Sequence, residues 1–264
     1  MCAMKNWEVN SWPRKYKIFG IDVSETSYEQ ALDAIIKAAK VRRPSCVSHL
    51  AVHGLILGST DPLLKIRLNE FDILAPDGQP VRFALNLLYK TKLQDRCYGP
   101  EFMSRVCECA AIEGIGVYLY GSHPHVVKAL HDRLTTTYHK LKIVGHEPSA
   151  FRPLGKDEDE ELVQRINKSR AGIVFIGLGC PLQEKFAYEH RKKIKAVQIC
   201  VGAAFDFHAG NKKMAPAWMQ RHSLEWLFRL LQEPQRLWRR YLFTNSVFLF
   251  NLVLQYTGLK KFNK

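Results

Sequence analysis

Apolar residues along this chain fall in two alternating rhythms: short continuous runs, and longer stretches in which they recur every three to four positions. The first is the signature of a strand buried on both faces, the second of a helix with one apolar side. Ser27 followed by Gln30 resembles a capping box, and Ala31, Leu32, Ile35, Ile36 and Ala39 behind it make a helical stripe. The pattern then predicts a strand over 46–52, a helix over 62–69, a short strand over 71–75 and a helix over 79–89. Helices follow over 101–112 and 123–137, with a strand over 116–120 between them. Further alternation runs through 141–144, 158–168, 172–176, 182–192 and 197–201. Strands interleaved with helices in this way predict an α/β fold, doubly wound around a largely parallel sheet.

Beyond Met214 the pattern changes. Residues 224–231 are amphipathic, Pro234 interrupts them, and Arg236, Arg239 and Arg240 open a second stretch rich in aromatics. Residues 241–256 are mostly apolar, but about 24 Å of helix at ~1.5 Å per residue falls short of a ~30 Å hydrocarbon core. Thr244, Asn251 and Gln255 also share one helical face. These features predict a C-terminal helical membrane-binding appendage lying in the interface; a helix packed on the domain or on another subunit is the competing reading. The expected organisation is an N-terminal extension over 1–16, an α/β core over 17–213 and the basic appendage over 214–264.

Charge sharpens this picture. Thirty-nine Lys and Arg against twenty-five Asp and Glu leave +14, and residues 211–264 hold ten basic against two acidic residues, so +8 of the excess lies there. Basic residues clustered beside apolar aromatics favour an anionic membrane surface over nucleic acid. Seven scattered cysteines without a Cys-x-x-Cys pair argue against a disulfide framework or zinc site, and residues 1–16 lack the apolar core of a signal peptide. A reducing cytoplasm is expected.

Candidate chemistry gathers where predicted strands end. After the run 171–176, Gly177 and Gly179 allow close backbone approach to a ligand, and Pro181 opens a helix whose free N–H groups suit phosphate. An ordinary tight turn is the plainer alternative. Asp77, between a strand end and Gly78, suits a general base or an N-cap of the next helix. Arg96 offers a fork of donors for a diphosphate, or a surface ion pair with Asp95 or Glu101. Gln183 and Glu184 face the glycine turn or cap the helix there. Asp206, between Phe205 and Phe207, needs a ligand or backbone partner. His49 and His53 flank a strand end and read as structural histidines. No metal constellation emerges among His, Asp and Glu.

Taken together, these segments resemble the WecG/TagA/CpsF family of bacterial glycosyltransferases. The resemblance covers roughly 18–254. It rests on Pro76-Asp77-Gly78, Arg96 with Gly99, Tyr120-Gly121-Ser122, Gly177-Leu178-Gly179 with Pro181 and Gln183-Glu184, Val201-Gly202 with Phe205-Asp206, Ala215-Pro216, and Leu224-Glu225-Trp226 with Arg229-Leu230. It implies a Rossmann-like core and an inverting, metal-independent transfer from a UDP-sugar to a polyprenyl-diphosphate-linked sugar. The reaction is expected at the cytoplasmic face of the bacterial inner membrane, by a peripheral protein serving cell-surface polysaccharide synthesis. The implied general base is Asp77, with Arg96 at the departing UDP and Gln183 as a polar site residue. Ser48, His49, Gly78, Gly121, Ser122, Gly177, Gly179, Glu184, Gly202, Phe205 and Asp206 are implied substrate contacts. Arg229, Arg236, Arg239 and Arg240 are expected at the lipid-linked acceptor or the headgroups.

Two departures bear on the donor sugar. Ser48-His49-Leu50 stands where relatives carry Thr-x-Asn, and Met214-Ala215-Pro216 where many have Arg-Ala-Pro. The expected partners are thus a UDP-sugar, a polyprenyl-diphosphate-linked sugar and an anionic membrane surface, with no nucleic acid and no cofactor; a homo-oligomer is left open. A nucleotide-binding oxidoreductase fits the alternation but lacks a Gly-x-Gly-x-x-Gly opening, since the turn at 177–182 ends in leucine. A non-enzymatic basic membrane- or nucleic-acid-binding module is the third class, with steep salt dependence as its mark.

Overall fold

The computed structural model describes residues 12–262; of the expected N-terminal extension, 1–11 lie outside them. The described chain opens with a feature the pattern missed, an antiparallel hairpin of β1 (Lys15–Ile18) and β2 (Ile21–Ser24). Its two-residue turn puts Phe19 at φ 53° and Gly20 at φ 84°, a geometry that twists with the strands it joins. Then come α1 (Tyr28–Lys40), β3 (Ser45–Leu50), α2 (Val52–Thr60), α3 (Pro62–Asn69), β4 (Ile73–Pro76), α4 (Gln79–Tyr89) and α5 (Gly99–Glu113). The second half holds β5 (Gly116–Gly121), α6 (Pro124–Thr137), β6 (Lys142–Glu147), α7 (Lys156–Lys168), β7 (Ile173–Gly177), α8 (Leu182–His190), β8 (Val197–Cys200) and the short α9 (Ala204–Ala209). Three helices close the chain: α10 (Ala217–Arg221), α11 (Glu225–Gln232) and α12 (Pro234–Tyr256).

Six strands form one sheet in the order β4-β3-β8-β7-β5-β6, with every neighbouring pair parallel. Successive side chains of a strand point to opposite faces, and the core divides accordingly. Ile173 and Phe175 of β7 pack into one cluster with α1, α5, α6 and α9. Val174 and Ile176 pack into the other, with the hairpin, α2, α3, α4, α7, α8 and α12. Helices on both faces explain why these strands read as unbroken apolar runs.

The expected strand over 46–52 is shorter than its apolar run. It ends at Leu50, and α2 begins at Val52 with no side-chain cap. Register then aligns the strand ends: His49 lies opposite Ala75, Leu50 opposite Pro76, Ser48 opposite Cys200, Ile176 opposite Cys200, and Gly121 opposite Gly177. Residues just beyond these positions therefore share one carboxyl edge, where open α/β sheets place their ligands.

The C-terminal stretch takes the form of the competing reading, a helix packed on the domain. A single helix runs from Pro234, in its first turn, to Tyr256. At ~1.5 Å per residue it is roughly 34 Å long, and it packs on α2 and α4. Its polar positions face the domain. Thr244 and Asn251 are buried, and Gln255 Oε1 accepts from the Phe19 N–H at 3.0 Å while its amide donates to Lys17 O at 2.8 Å. Phe248 meets the Phe19 ring edge-on at 5.5 Å. The outer face carries Leu242, Phe243, Leu249, Phe250 and Val253, each 58–65 % exposed. Among the described residues, no helix is long and apolar enough to cross a membrane.

Candidate active site

Asp77 follows β4 directly, and its backbone N–H donates to Leu50 O at the end of β3. It does not cap α4, whose N-cap is Gly78 with no side-chain bond. Instead Oδ1 accepts from the Gly99 N–H at 3.2 Å, in the first turn of α5. Crowding out of water pushes the carboxyl up to about 6, while Arg96 and Arg229 pull it down and Glu225 pushes it up. A carboxylate with that affinity is poised to take a proton near neutral pH.

Arg96 is reached through a loop pinned by Arg82, which donates to Gln79 Oε1 and to Leu93 O. The surface pair with Asp95 or Glu101 does not form: Asp95 accepts from the Arg96 backbone N–H, and Glu101 pairs with Arg105. The Arg96 guanidinium lies over the Tyr98 ring, 4.4 Å from its centroid, and bonds Glu225 of α11 at 2.5 Å. Glu225 also bonds Arg229 at 2.5 Å, and Arg229 donates to the Tyr98 hydroxyl at 3.3 Å. A cleft of about 450 Å³ opens beside this group, lined by Tyr28, Gln79, Arg82, Arg96 and Tyr98 among others. A larger cavity of about 840 Å³, against α1, holds none of the candidate catalytic residues.

A second polar group sits along the same edge. The Ser48 hydroxyl donates to Glu184 Oε1 at 2.8 Å, and the Gln183 amide donates to the same oxygen at 2.9 Å. Gln183 and Glu184 are both buried in the first turn of α8, and neither caps it. Burial raises the Glu184 carboxyl above the usual carboxylate range. Among the described residues, Gln183 Oε1, His49 Nε2, His53 Nδ1, Arg229 Nε and Arg240 Nε are buried without a hydrogen-bond partner, while the Cys180 thiol lies against the Glu184 carboxyl. Buried polar atoms normally find partners, so these orphans single out this surface as a candidate for binding. Burial lowers His49 and His53 to about 4, with Arg240 adding to the effect at His53. Both rings are therefore neutral at neutral pH. His49 Nδ1 lies 3.4 Å from Cys200 O, which assigns the proton there and leaves Nε2 as an acceptor.

The glycines divide by role. A Cβ on Gly179 would meet nothing within 4 Å, and its φ of 78° favours glycine; this backbone is open to a ligand. At Gly177 a Cβ would stand 2.6 Å from the Phe205 ring, and at Gly121 it would stand 2.7 Å from Gly177. Packing accounts for those two glycines, and the fully buried Phe205 belongs to the core. Gly202 lies beside Gln183, and Gly78 lies against the amino end of α2. The Ser122 N–H donates to Gly177 O. Asp206 accepts from the Asn211 amide at 2.7 Å. Asp77, Arg96 and Arg229 thus come together, as do Ser48, Gln183, Glu184 and Gly202. Arg240 stands near Cys180 and His53, whereas Arg236 pairs with Glu233 and Arg239 lies over Trp238. Glu225 entered the sequence reading only as part of a matching segment, and Tyr98 was not read as a site residue, because Arg96 and Arg229, which they meet, lie 129 and 131 residues away and no local pattern encodes such contacts.

A parallel sheet whose carboxyl edge presents a buried carboxylate beside clustered arginines suits a group-transfer enzyme of the α/β class. The chain belongs to the WecG/TagA/CpsF family of glycosyl transferases, whose family model matches residues 16–262. It is similar to an N-acetylglucosaminyldiphosphoundecaprenol N-acetyl-beta-D-mannosaminyltransferase of Bacillus subtilis strain 168, at 34 % identity over 177 residues, 66 % of each chain. It is also similar to the protein of the same name from Bacillus spizizenii strain W23, at 31 % identity over 183 residues, 69 % of this chain and 68 % of the relative. The matches thus span about two thirds of those relatives' own lengths.

Proposed function

We propose that this protein transfers a sugar from a UDP-sugar to a polyprenyl-diphosphate-linked sugar, with inversion, in the assembly of a cell-surface polysaccharide. The observation that carries the reading is the Asp77 carboxyl beside Arg96 and Arg229 at the sheet edge. In the proposed step an acceptor hydroxyl attacks the anomeric carbon from the face opposite the leaving group. The new C–O bond forms as the bond to the diphosphate breaks, UDP departs with the electron pair, and Asp77 takes the hydroxyl proton. Single displacement inverts the anomeric centre. Arg96 meets the charge growing on the departing diphosphate, with Gln183 and the open backbone at Gly179 beside it, which asks nothing of a metal. Ser48, His49, Glu184 and Gly202 line the adjoining surface and belong to the sugar or nucleotide.

The acceptor class follows the names of the Bacillus relatives, which specify a diphosphoundecaprenol-linked N-acetylglucosamine. Those names also specify N-acetylmannosamine. Here Ser48-His49-Leu50 replaces the Thr-x-Asn pattern, so the donor is left to measurement. Exposed Trp226 and Leu231 of α11 and the outer apolar face of α12, with Arg236, Arg239 and Arg240 nearby, suit a peripheral helical pair lying on anionic lipid. Arg229 and Arg240 then face the lipid-linked diphosphate, at the cytoplasmic membrane surface.

UDP release by the purified protein, measured across UDP-sugars with N-acetylglucosamine linked to a lipid diphosphate as acceptor, tests the reading. One donor should give acceptor-dependent release, and the product linkage should have the anomeric configuration opposite to the donor's. Retained configuration, or silence across the whole panel, contradicts it.

A further inference from the structure

Glu225 lies at the amino end of α11, 6 % exposed, and its two carboxylate oxygens serve two different arginines. Oε2 bonds Arg96 of the core, and Oε1 bonds Arg229 one turn along α11. With Asp77 these residues make a cluster of two acids and two guanidinium groups. We propose that Glu225 is a positioning residue which, held between Arg96 and Arg229, balances the cluster's charge and so sets the basicity of Asp77. The inference rests on the reading of Asp77 as the general base.

Three features support it. First, the groups facing Asp77 are Arg96, Glu225, Arg229, the Gly99 N–H, Tyr28, Cys97 and Tyr98. Burial pushes the Cys97 thiol up to about 12 and raises both phenols, so these three stay neutral. Among the described residues, the charged groups that act most on Asp77 are Arg96, Glu225 and Arg229. Second, Glu225 arrives on the C-terminal helices while Asp77 and Arg96 belong to the core, so the balance depends on α11 being docked. Third, a diphosphate would seek the same guanidinium groups that Glu225 occupies. Glu225 therefore favours a stronger base while holding back part of the arginines' affinity for phosphate.

Initial rates of acceptor-dependent UDP release against pH, with UDP binding by titration, test this on the full chain. Glu225→Gln removes the charge and leaves both arginines facing Asp77. Its acidic limb should move down by about one pH unit, kcat should fall about tenfold as the base weakens, and UDP should bind more tightly. Arg229→Gln should move the limb upward, and Glu225→Asp should keep it where the wild type has it. A merely structural Glu225 predicts weaker UDP binding, a lower Tm and an unmoved limb. That result, or shifts of the same sign in Glu225→Gln and Arg229→Gln, overturns the proposal. If Glu225→Gln does not fold, Glu225→Ser, read in the same way, decides. A wild-type profile with no acidic limb overturns the reading of Asp77 itself and the inference with it, whereas a wild-type limb that Glu225→Gln leaves in place overturns the inference alone.

Discussion

Asp77 illustrates how one side chain is made costly to the fold and useful to chemistry. Its carboxyl is raised to about 6 because burial disfavours the charged form. For an acid raised in this way the cost to stability is absent below the unfolded carboxylate range and fully present above about pH 6. Asp77→Asn should therefore stabilise the protein by ~1 kcal/mol at neutral pH, a rise of a few degrees in Tm, even as activity is lost. In the wild type, activity should fall as pH drops through about 6. Gly177 makes the opposite case. Gly177→Ala puts a methyl group 2.6 Å from the Phe205 ring, and overpacking of this kind costs roughly 1–3 kcal/mol; chemical denaturation should show it. An unchanged midpoint would mean that Phe205 can swing aside.

At the scale of elements, α12 has two faces with separable consequences. Phe248 is buried against Phe19, and Phe248→Ala should destabilise by about 3–5 kcal/mol. Phe243 and Phe250 stand on the outer face, 65 % exposed; replacing both with Ser should leave Tm unchanged while sharply reducing sedimentation with anionic vesicles. Equal sedimentation of wild type and variant would remove this face from membrane docking. The same helix shows where pattern reading stops. Its polar positions Thr244, Asn251 and Gln255 were legible as a stripe, yet the stripe turned inward: Thr244 and Asn251 are buried, and Gln255 meets Lys17, Phe19 and Tyr89. The hairpin was invisible because each strand has four residues and its turn begins with Phe19, a poor marker for positive φ. The start of α2 was hidden because strand and helix share one apolar run, with neither a cap nor a proline between them.

For the whole molecule, strand runs such as 173–177 and 197–200 made the parallel sheet legible, and an aligned sheet edge brings Asp77, Ser48 and the glycine turn to one side. Which residues close over that edge was beyond local pattern, since Arg96, Glu225 and Arg229 meet only when α11 folds back on the core. In the proposed step, that meeting is where an acceptor hydroxyl loses its proton as UDP departs. The most direct test is acceptor-dependent UDP release by wild type and Asp77→Asn, with Tm measured on the same samples. At least a hundredfold loss of turnover is expected in a variant as stable as the wild type or more so. Wild-type turnover by Asp77→Asn would contradict it.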